Sequence, residues 1–135
     1  MKLINVKSVL GVVAGMSLFM AAGTASAADC TVLLPAFQDA CNLNDDLASG
    51  TANGAYIGSC AIDGGKCDDS VYNKLFSASS KVGALKIADA CANLASIQRD
   101  LLTWSTAAKP KIDQTGYNSL SADIAAIQTK LNCAQ

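Results

Sequence analysis

The sequence predicts an all-α protein, a small disulfide-stabilised bundle of three to four helices with a Gly-rich loop or short hairpin at about 50–69 after the first helix. Three observations favour this fold class. Apolar residues recur at helical spacing in several segments, and all six cysteines lie between positions 30 and 133. The third is a stretch that five glycines interrupt: Gly50, Gly54, Gly58, Gly64 and Gly65.

The first helix is predicted over residues 32–49. Pro35 suits its first turn, where a missing N–H costs little, and Gly50 suits its end. The apolar residues of this segment approximate one helix face: Leu33, Leu34, Phe37, Cys41 and Leu47.

Helical periodicity resumes at Ser70, which suits an N-cap position. The small residues at 77–80 favour a break, although the pattern also allows one continuous helix. The strongest apolar stripe covers 81–107. Pro110 ends it, because the residue before a proline avoids helical geometry.

The last helix is predicted over about 115–133. Asp113 is a candidate N-cap, as are Asn118 and Ser119. Because the link at Pro110 is short, we expect the last two helices to be antiparallel neighbours.

Residues 1–27 are predicted to be a cleaved Sec signal peptide. A basic region with Lys2 and Lys7 precedes an almost unbroken apolar run, and small residues end at Ala27. The run is short for a membrane span, which needs roughly 20 apolar residues; an uncleaved anchor is the alternative. Cleavage leaves residues 28–135 as a single small helical domain, exported to the periplasm or the medium.

A local disulfide is predicted between Cys60 and Cys67. Asp63-Gly64 suits the turn of a two-residue hairpin, which would place the two cysteines opposite each other on short strands. Opposed alpha carbons in such a pair lie ~4.5–5.5 Å apart, within disulfide range. The alternative is an irregular loop whose cysteines each pair with a helix.

The other four cysteines allow three pairings, among which the sequence does not choose. We favour Cys41–Cys91 with Cys30–Cys133, since this set crosslinks distant segments. The alternative is Cys91–Cys133, because antiparallel packing of the last two helices brings these positions to similar heights.

The composition argues against catalysis. The chain contains no His and no Glu, so the usual general base is missing, and adjacent Ser and Lys at 80–81 do not face each other on a helix. Asp45-Asp46 and Asp68-Asp69 offer oxygen ligands, but neither matches a calcium loop. We therefore expect no enzyme activity, no metal and no cofactor, with a small secreted enzyme as a remote alternative.

Charge argues against two classes of partner. Without Lys2 and Lys7, 8 of the 10 basic residues remain against 11 acidic ones, all Asp. This mild acidic excess predicts neither nucleic-acid binding nor membrane binding by the mature form. The oligomeric state stays open.

The candidate binding residues lie in the 50–69 loop: Tyr56, Ile57, Asp63 and Lys66. An apolar pair held near a disulfide-pinned hairpin is typical of small secreted binding proteins, although the pair could also pack against the helices. We therefore predict a binding module that acts through this loop. The alternative is a structural or self-assembling component of the cell envelope or extracellular matrix.

Overall fold

The computed structural model describes residues 29–58, Cys60 and residues 66–134. These residues form four α-helices and no strand: α1 Pro35–Ser49, α2 Lys66–Gly83, α3 Ile87–Thr106 and α4 Gln114–Lys130, with a 3-10 turn, Cys30–Val32, before α1. The predicted all-α, disulfide-stabilised bundle is confirmed. The predicted signal peptide lies outside the described residues.

Consecutive helices run antiparallel, so the bundle alternates up and down. The pairing of α1 with α2 shows this directly. The N–H of Leu34 donates to Ser79 Oγ (2.9 Å) near the end of α2, whereas Asn44 Nδ2 donates to the carbonyl of Asp68 (3.1 Å) near its start. Each helix packs against two others: α1 and α3 both contact α2 and α4.

The core lies between the four helices, each of which buries one side. None of the helices in the described part of the chain is long and apolar enough to cross a membrane. The largest fully buried side chains within the helices are Phe37, Leu47, Val71, Leu75, Leu94, Ile97, Leu101, Leu120, Ile124 and Ile127.

Helix α2 continues through residues 77–80, where the sequence favoured a break. Ser79 is buried, and its hydroxyl accepts the N–H of Leu34, so this serine has a partner without leaving the helix. The helix also begins four residues before Ser70. Asp68 and Asp69 lie in its first turn, where the helix dipole favours acidic residues.

Left-handed residues follow three of the four helices: Gly50 (φ 79°), Leu85 (φ 63°) and Asn132 (φ 57°). After α2, the N–H of Lys86 reaches back to the carbonyl of Lys81 (2.8 Å), which closes a Schellman motif. Gly and Asn are the usual residues at such positions, and Leu85 is an exception.

All six cysteines are paired, as Cys30–Cys41, Cys60–Cys67 and Cys91–Cys133. The favoured set, Cys41–Cys91 with Cys30–Cys133, is wrong. Cys41 lies on α1, which packs against α2 and α4, whereas Cys91 lies on α3. The 3-10 turn instead folds Cys30 back onto α1, with its alpha carbon 5.6 Å from that of Cys41. The alternative, Cys91–Cys133, is the pairing present, because α3 and α4 are antiparallel neighbours.

The local Cys60–Cys67 pairing is confirmed, with alpha carbons 5.4 Å apart. The strand predicted at Cys67 is wrong, since Cys67 lies in the first turn of α2. The predicted turn, Asp63-Gly64, falls within residues 61–65, which lie outside the described residues.

Candidate functional site

The segment 51–58 is fixed against the connection between α3 and α4. Tyr56 and Ile112 form an isolated antiparallel bridge. On either side of it, the N–H of Ile57 donates to the carbonyl of Lys111 (2.9 Å), and the N–H of Asp113 donates to the carbonyl of Ala55 (3.1 Å). This part of the Gly-rich loop is therefore tied to the bundle by backbone hydrogen bonds.

The carboxylate of Asp113 holds two segments together. One oxygen accepts the N–H of Gly116 (2.7 Å), so Asp113 is the N-cap of α4, as one of the three predicted candidates. The other oxygen accepts the N–H of Ala55 (3.1 Å). One side chain thus caps a helix and anchors the loop.

Gly54 allows the loop to approach this cap closely. Its φ is +100°, and a Cβ added there would lie 2.5 Å from the nitrogen of Gly116 and 2.7 Å from Asp113 Oδ1. A side chain at position 54 would therefore be strained and would collide with the cap.

Tyr56 is a core residue. It is 4% exposed, and its ring packs edge-on against Trp104 with 6.3 Å between centroids. Its hydroxyl donates to Asn44 Oδ1. The sequence left open whether Tyr56 is available for binding or packs against the helices. The second alternative holds, because the hydrogen-bonding and aromatic partners of Tyr56 both lie inside the bundle.

The other predicted loop residues differ in their placement. Ile57 is 38% exposed and Lys66 is exposed, so both are accessible, and their role in binding stays a prediction. Asp63 lies outside the described residues.

A buried polar cluster links α1, α2 and the loop through Asn44. The Asn44 side chain is fully buried, and its Nδ2 donates both to the carbonyl of Asp68 (3.1 Å) and to Asp68 Oδ1 (2.5 Å). Its Oδ1 accepts from Tyr56. The amide therefore bridges three parts of the chain, and its partners fix its orientation.

The same cluster contains two carboxyl groups. Asp68 is 5% exposed, and Asp45 lies near enough for its charge to act on the Asp68 carboxyl group. Burial raises the pKa of Asp68 to about 7, and the negative charges of Asp45 and Asp69 contribute in the same direction. Burial also raises the pKa of Tyr56, as do the nearby Asp68 and Asp45.

Asp45 lies beside the first disulfide, with Cys30 Sγ 3.5 Å from its Oδ2. Ligand atoms of Cys30, Cys41 and Asp45 all lie within 4.8 Å of one another. Because the two sulfurs are bonded to each other, they are not thiolates that would bind a metal ion.

An exposed apolar strip lies on the segment that leads into α1 and on the neighbouring helix α2. We define it as Val32, Leu34 and Phe76, which are 56%, 38% and 46% exposed. Single exposed apolar side chains are common on protein surfaces, whereas grouped ones mark interaction surfaces more often.

Two hydrogen bonds place the segment that carries Val32 and Leu34 alongside the helix that carries Phe76. Tyr72 Oη donates to the carbonyl of Asp29 (3.4 Å), and the N–H of Leu34 donates to Ser79 Oγ (2.9 Å). The segment 29–34 therefore runs along α2 from position 72 to position 79. Phe76 lies between these positions and contacts the ring of Tyr72, at 6.2 Å between centroids.

The sequence pattern assigned Leu34 to the core face of the first helix, and this is wrong. Leu34 precedes Pro35 and is extended (φ −59°, ψ 148°), so it lies outside α1. In extended backbone, successive side chains point to opposite sides. Leu33 is accordingly 3% exposed, whereas Leu34 faces outward. The sequence signal for this placement is Pro35, because the residue before a proline avoids helical geometry.

No protein-family model matches this chain, and no curated protein or solved structure matches it significantly. The three disulfides fit a protein of an oxidising environment.

Proposed function

We propose that this protein is an exported, non-catalytic interaction module that binds a protein partner through the apolar strip of Val32, Leu34 and Phe76. The observation that carries the proposal is that three large, exposed apolar side chains lie on two adjacent segments of a disulfide-linked bundle. Their burial in a complex would supply the non-directional part of the binding free energy.

The strip is held in place before any partner binds. Cys30–Cys41 fixes the 3-10 turn to α1, and the buried Leu33 anchors the chain between the two outward-facing residues. A surface that is already ordered loses little conformational entropy on binding, so a small contact area gains affinity.

Export is supported by two independent features of the chain. The N-terminal pattern is that of a signal peptide, and three disulfides are stable in the compartments to which such peptides lead. The absence of His and Glu from the sequence supports the non-catalytic part of the proposal.

A matched pair of variants tests the strip. The strip variant carries Val32→Ser and Phe76→Ser. The control carries Leu102→Ser on α3, where the side chain is 52% exposed and outside the strip. Each immobilised protein, with disulfides intact, is incubated with the periplasmic and extracellular fractions of its source cells. Bound proteins are then cross-linked to the immobilised protein. We expect the wild type and the control to retain the same partner, and the strip variant to lose it.

The thermal unfolding midpoint must be measured on all three proteins. A near-wild-type midpoint of the strip variant together with lost capture supports the proposal. Equal capture by the strip variant and the control would contradict it. Self-association is a separate outcome: if wild-type oligomers grow with concentration and the strip variant stays monomeric, the self-assembling alternative is favoured instead.

A further inference from the structure

We propose that Asn53-Gly54 is a site of spontaneous covalent modification, at which the asparagine loses its amide, becomes isoaspartate and thereby detaches the 51–58 segment from the cap of α4. Water is the only other reactant. Three features select this asparagine: the glycine that follows it, the unbonded N–H of that glycine, and the exposure of the Asn53 side chain.

The reaction is an attack of the main chain on its own side chain. The backbone nitrogen of Gly54 gives up its proton and bonds to Cγ of Asn53, and Nδ2 leaves with that proton as ammonia. Water then opens the succinimide ring. Opening at Cγ gives aspartate, whereas opening at the main-chain carbonyl carbon gives isoaspartate, in which the backbone runs through Cβ and Cγ. Glycine favours the attack because it has no side chain beside the nitrogen and its backbone adapts easily.

The backbone nitrogen of Gly54 is available for this attack. The N–H groups on both sides of the Asn53-Gly54 pair donate to backbone carbonyls or to Asp113: those of Thr51, Ala52, Ala55, Tyr56 and Ile57. Within the described chain, the N–H of Gly54 has no acceptor. It can therefore lose its proton to solvent without breaking a hydrogen bond, and the exposed Asn53 amide is open to water.

The other asparagines of the described chain do not share this arrangement. Most lie inside helices, where the N–H of the next residue donates to a carbonyl four positions earlier: Asn42, Asn44, Asn73, Asn93 and Asn118. Asn132 lies outside a helix, but the N–H of Cys133 donates to the carbonyl of Gln128 (2.9 Å). Among the described residues, the fold therefore leaves the attacking nitrogen unbonded at Asn53 alone.

Isoaspartate changes the loop because it adds one carbon to the main chain just before Gly54. Both ends of this stretch are fixed: the N–H of Ala52 donates to a carbonyl of α1 (3.2 Å), and that of Ala55 donates to Asp113 (3.1 Å). Gly54 cannot move towards the cap, since a Cβ there would already lie 2.5 Å from a backbone nitrogen in the first turn of α4. The longer chain must therefore bulge away from α4, and we expect the hydrogen bond between Ala55 and Asp113 to break.

The first test incubates the protein, with its disulfides intact, at mildly alkaline pH. After reduction, tandem mass spectrometry of the tryptic peptide that ends at Lys66 locates the mass increase that replacement of an amide by a carboxyl group causes. We expect this increase at Asn53, whereas Asn42, which is exposed and lies in the same peptide, should stay unchanged. Ring closure changes the backbone of a single residue, so the rate should lie within about tenfold of that in the reduced, unfolded chain.

The second test separates the modification from its effect on the loop. Asn53→Gln would have to close a larger ring and should keep its amide, whereas freshly prepared Asn53→Asp carries the new charge on a chain of unchanged length. Hydrogen exchange should show lost protection of the Ala55 amide in the purified isoaspartate form and retained protection in both variants. The proposal is overturned if the folded protein keeps the Asn53 amide while the unfolded chain loses it, or if the isoaspartate form keeps the protection of Ala55.

Discussion

Asn44 accepts the phenolic hydrogen of Tyr56 inside the core, which joins α1 to a loop residue 12 positions later. The same amide donates to Asp68 at the start of α2, so Asn44 connects α1 to both the loop and α2, which the Cys60–Cys67 disulfide also joins to each other. The loop is thus closed by polar contacts as well as by its packing against Trp104.

Tyr56→Phe should lower the free energy of unfolding by about 1–2 kcal/mol. The substitution keeps the ring but removes the donor to Asn44, whose buried Oδ1 is then left unsatisfied. Tyr72→Phe is the matched control, because its hydroxyl makes a long contact (3.4 Å) with the exposed carbonyl of Asp29. Urea unfolding of both variants measures the difference, and equal losses would show that the Asn44 contact contributes nothing specific.

Gly54→Ala should destabilise the protein by more than about 2 kcal/mol, since it combines a strained backbone with a collision. The added methyl group would lie 2.5 Å from the backbone nitrogen of Gly116, inside the cap of α4. Gly83→Ala is the control, because Gly83 is the last residue of α2 and a Cβ there meets nothing within 4 Å. This control should be neutral or stabilising by about 0.5–1 kcal/mol. Similar losses in both variants would contradict the close approach.

Leu85→Gly should stabilise the protein by up to about 1 kcal/mol, which is unusual for the loss of a large apolar side chain. Leu85 is 85% exposed and left-handed, so glycine relieves backbone strain without emptying the core. Gly50→Ala reverses the experiment at another helix end, where φ is +79° and nothing lies within 4 Å of the added atom. That variant should lose about 1 kcal/mol. A thermal melt in which Leu85→Gly loses stability would mean that the side chain has packing partners.

Periodicity alone predicted much of the fold. The stripes of the last two helices, Leu94 to Leu101 and Leu120 to Ile127, are buried as expected, because helical spacing reports directly on which side faces a core. Ser79 was harder to interpret: small polar residues favour a break only until a distant backbone N–H supplies a partner. Such a contact has no local signature in the sequence.

The candidate site was predicted less well for the same reason. Tyr56 lies among glycines, a setting typical of an exposed loop. It is nevertheless buried, because it donates to Asn44 and packs against Trp104. Phe76 shows the converse case. It lies on a helix with an apolar pattern, but α2 has no fifth helix to cover that side among the described elements, so it is 46% exposed. Both outcomes depend on which elements become neighbours.

The disulfides Cys91–Cys133 and Cys30–Cys41 should contribute different amounts to the free energy of unfolding. Cys91–Cys133 closes a loop of 42 positions and Cys30–Cys41 one of 11. In the chain-entropy description these lengths correspond to about 4 and about 3 kcal/mol. Replacing Cys91 and Cys133 by Ala should therefore cost about 1 kcal/mol more than replacing Cys30 and Cys41.

Partner binding should show the opposite order: loss of Cys30–Cys41 should weaken it more than loss of Cys91–Cys133. Cys30–Cys41 holds the turn that carries Val32 and leads into Leu34, whereas Cys91–Cys133 joins α3 to the chain after α4. Loss of the first bond leaves a folded bundle whose strip must be ordered during association, so affinity for the partner should fall. Urea unfolding and partner titration of both double variants measure the two orders. If the less stable variant is also the weaker binder, the strip depends on global stability and not on its own anchor.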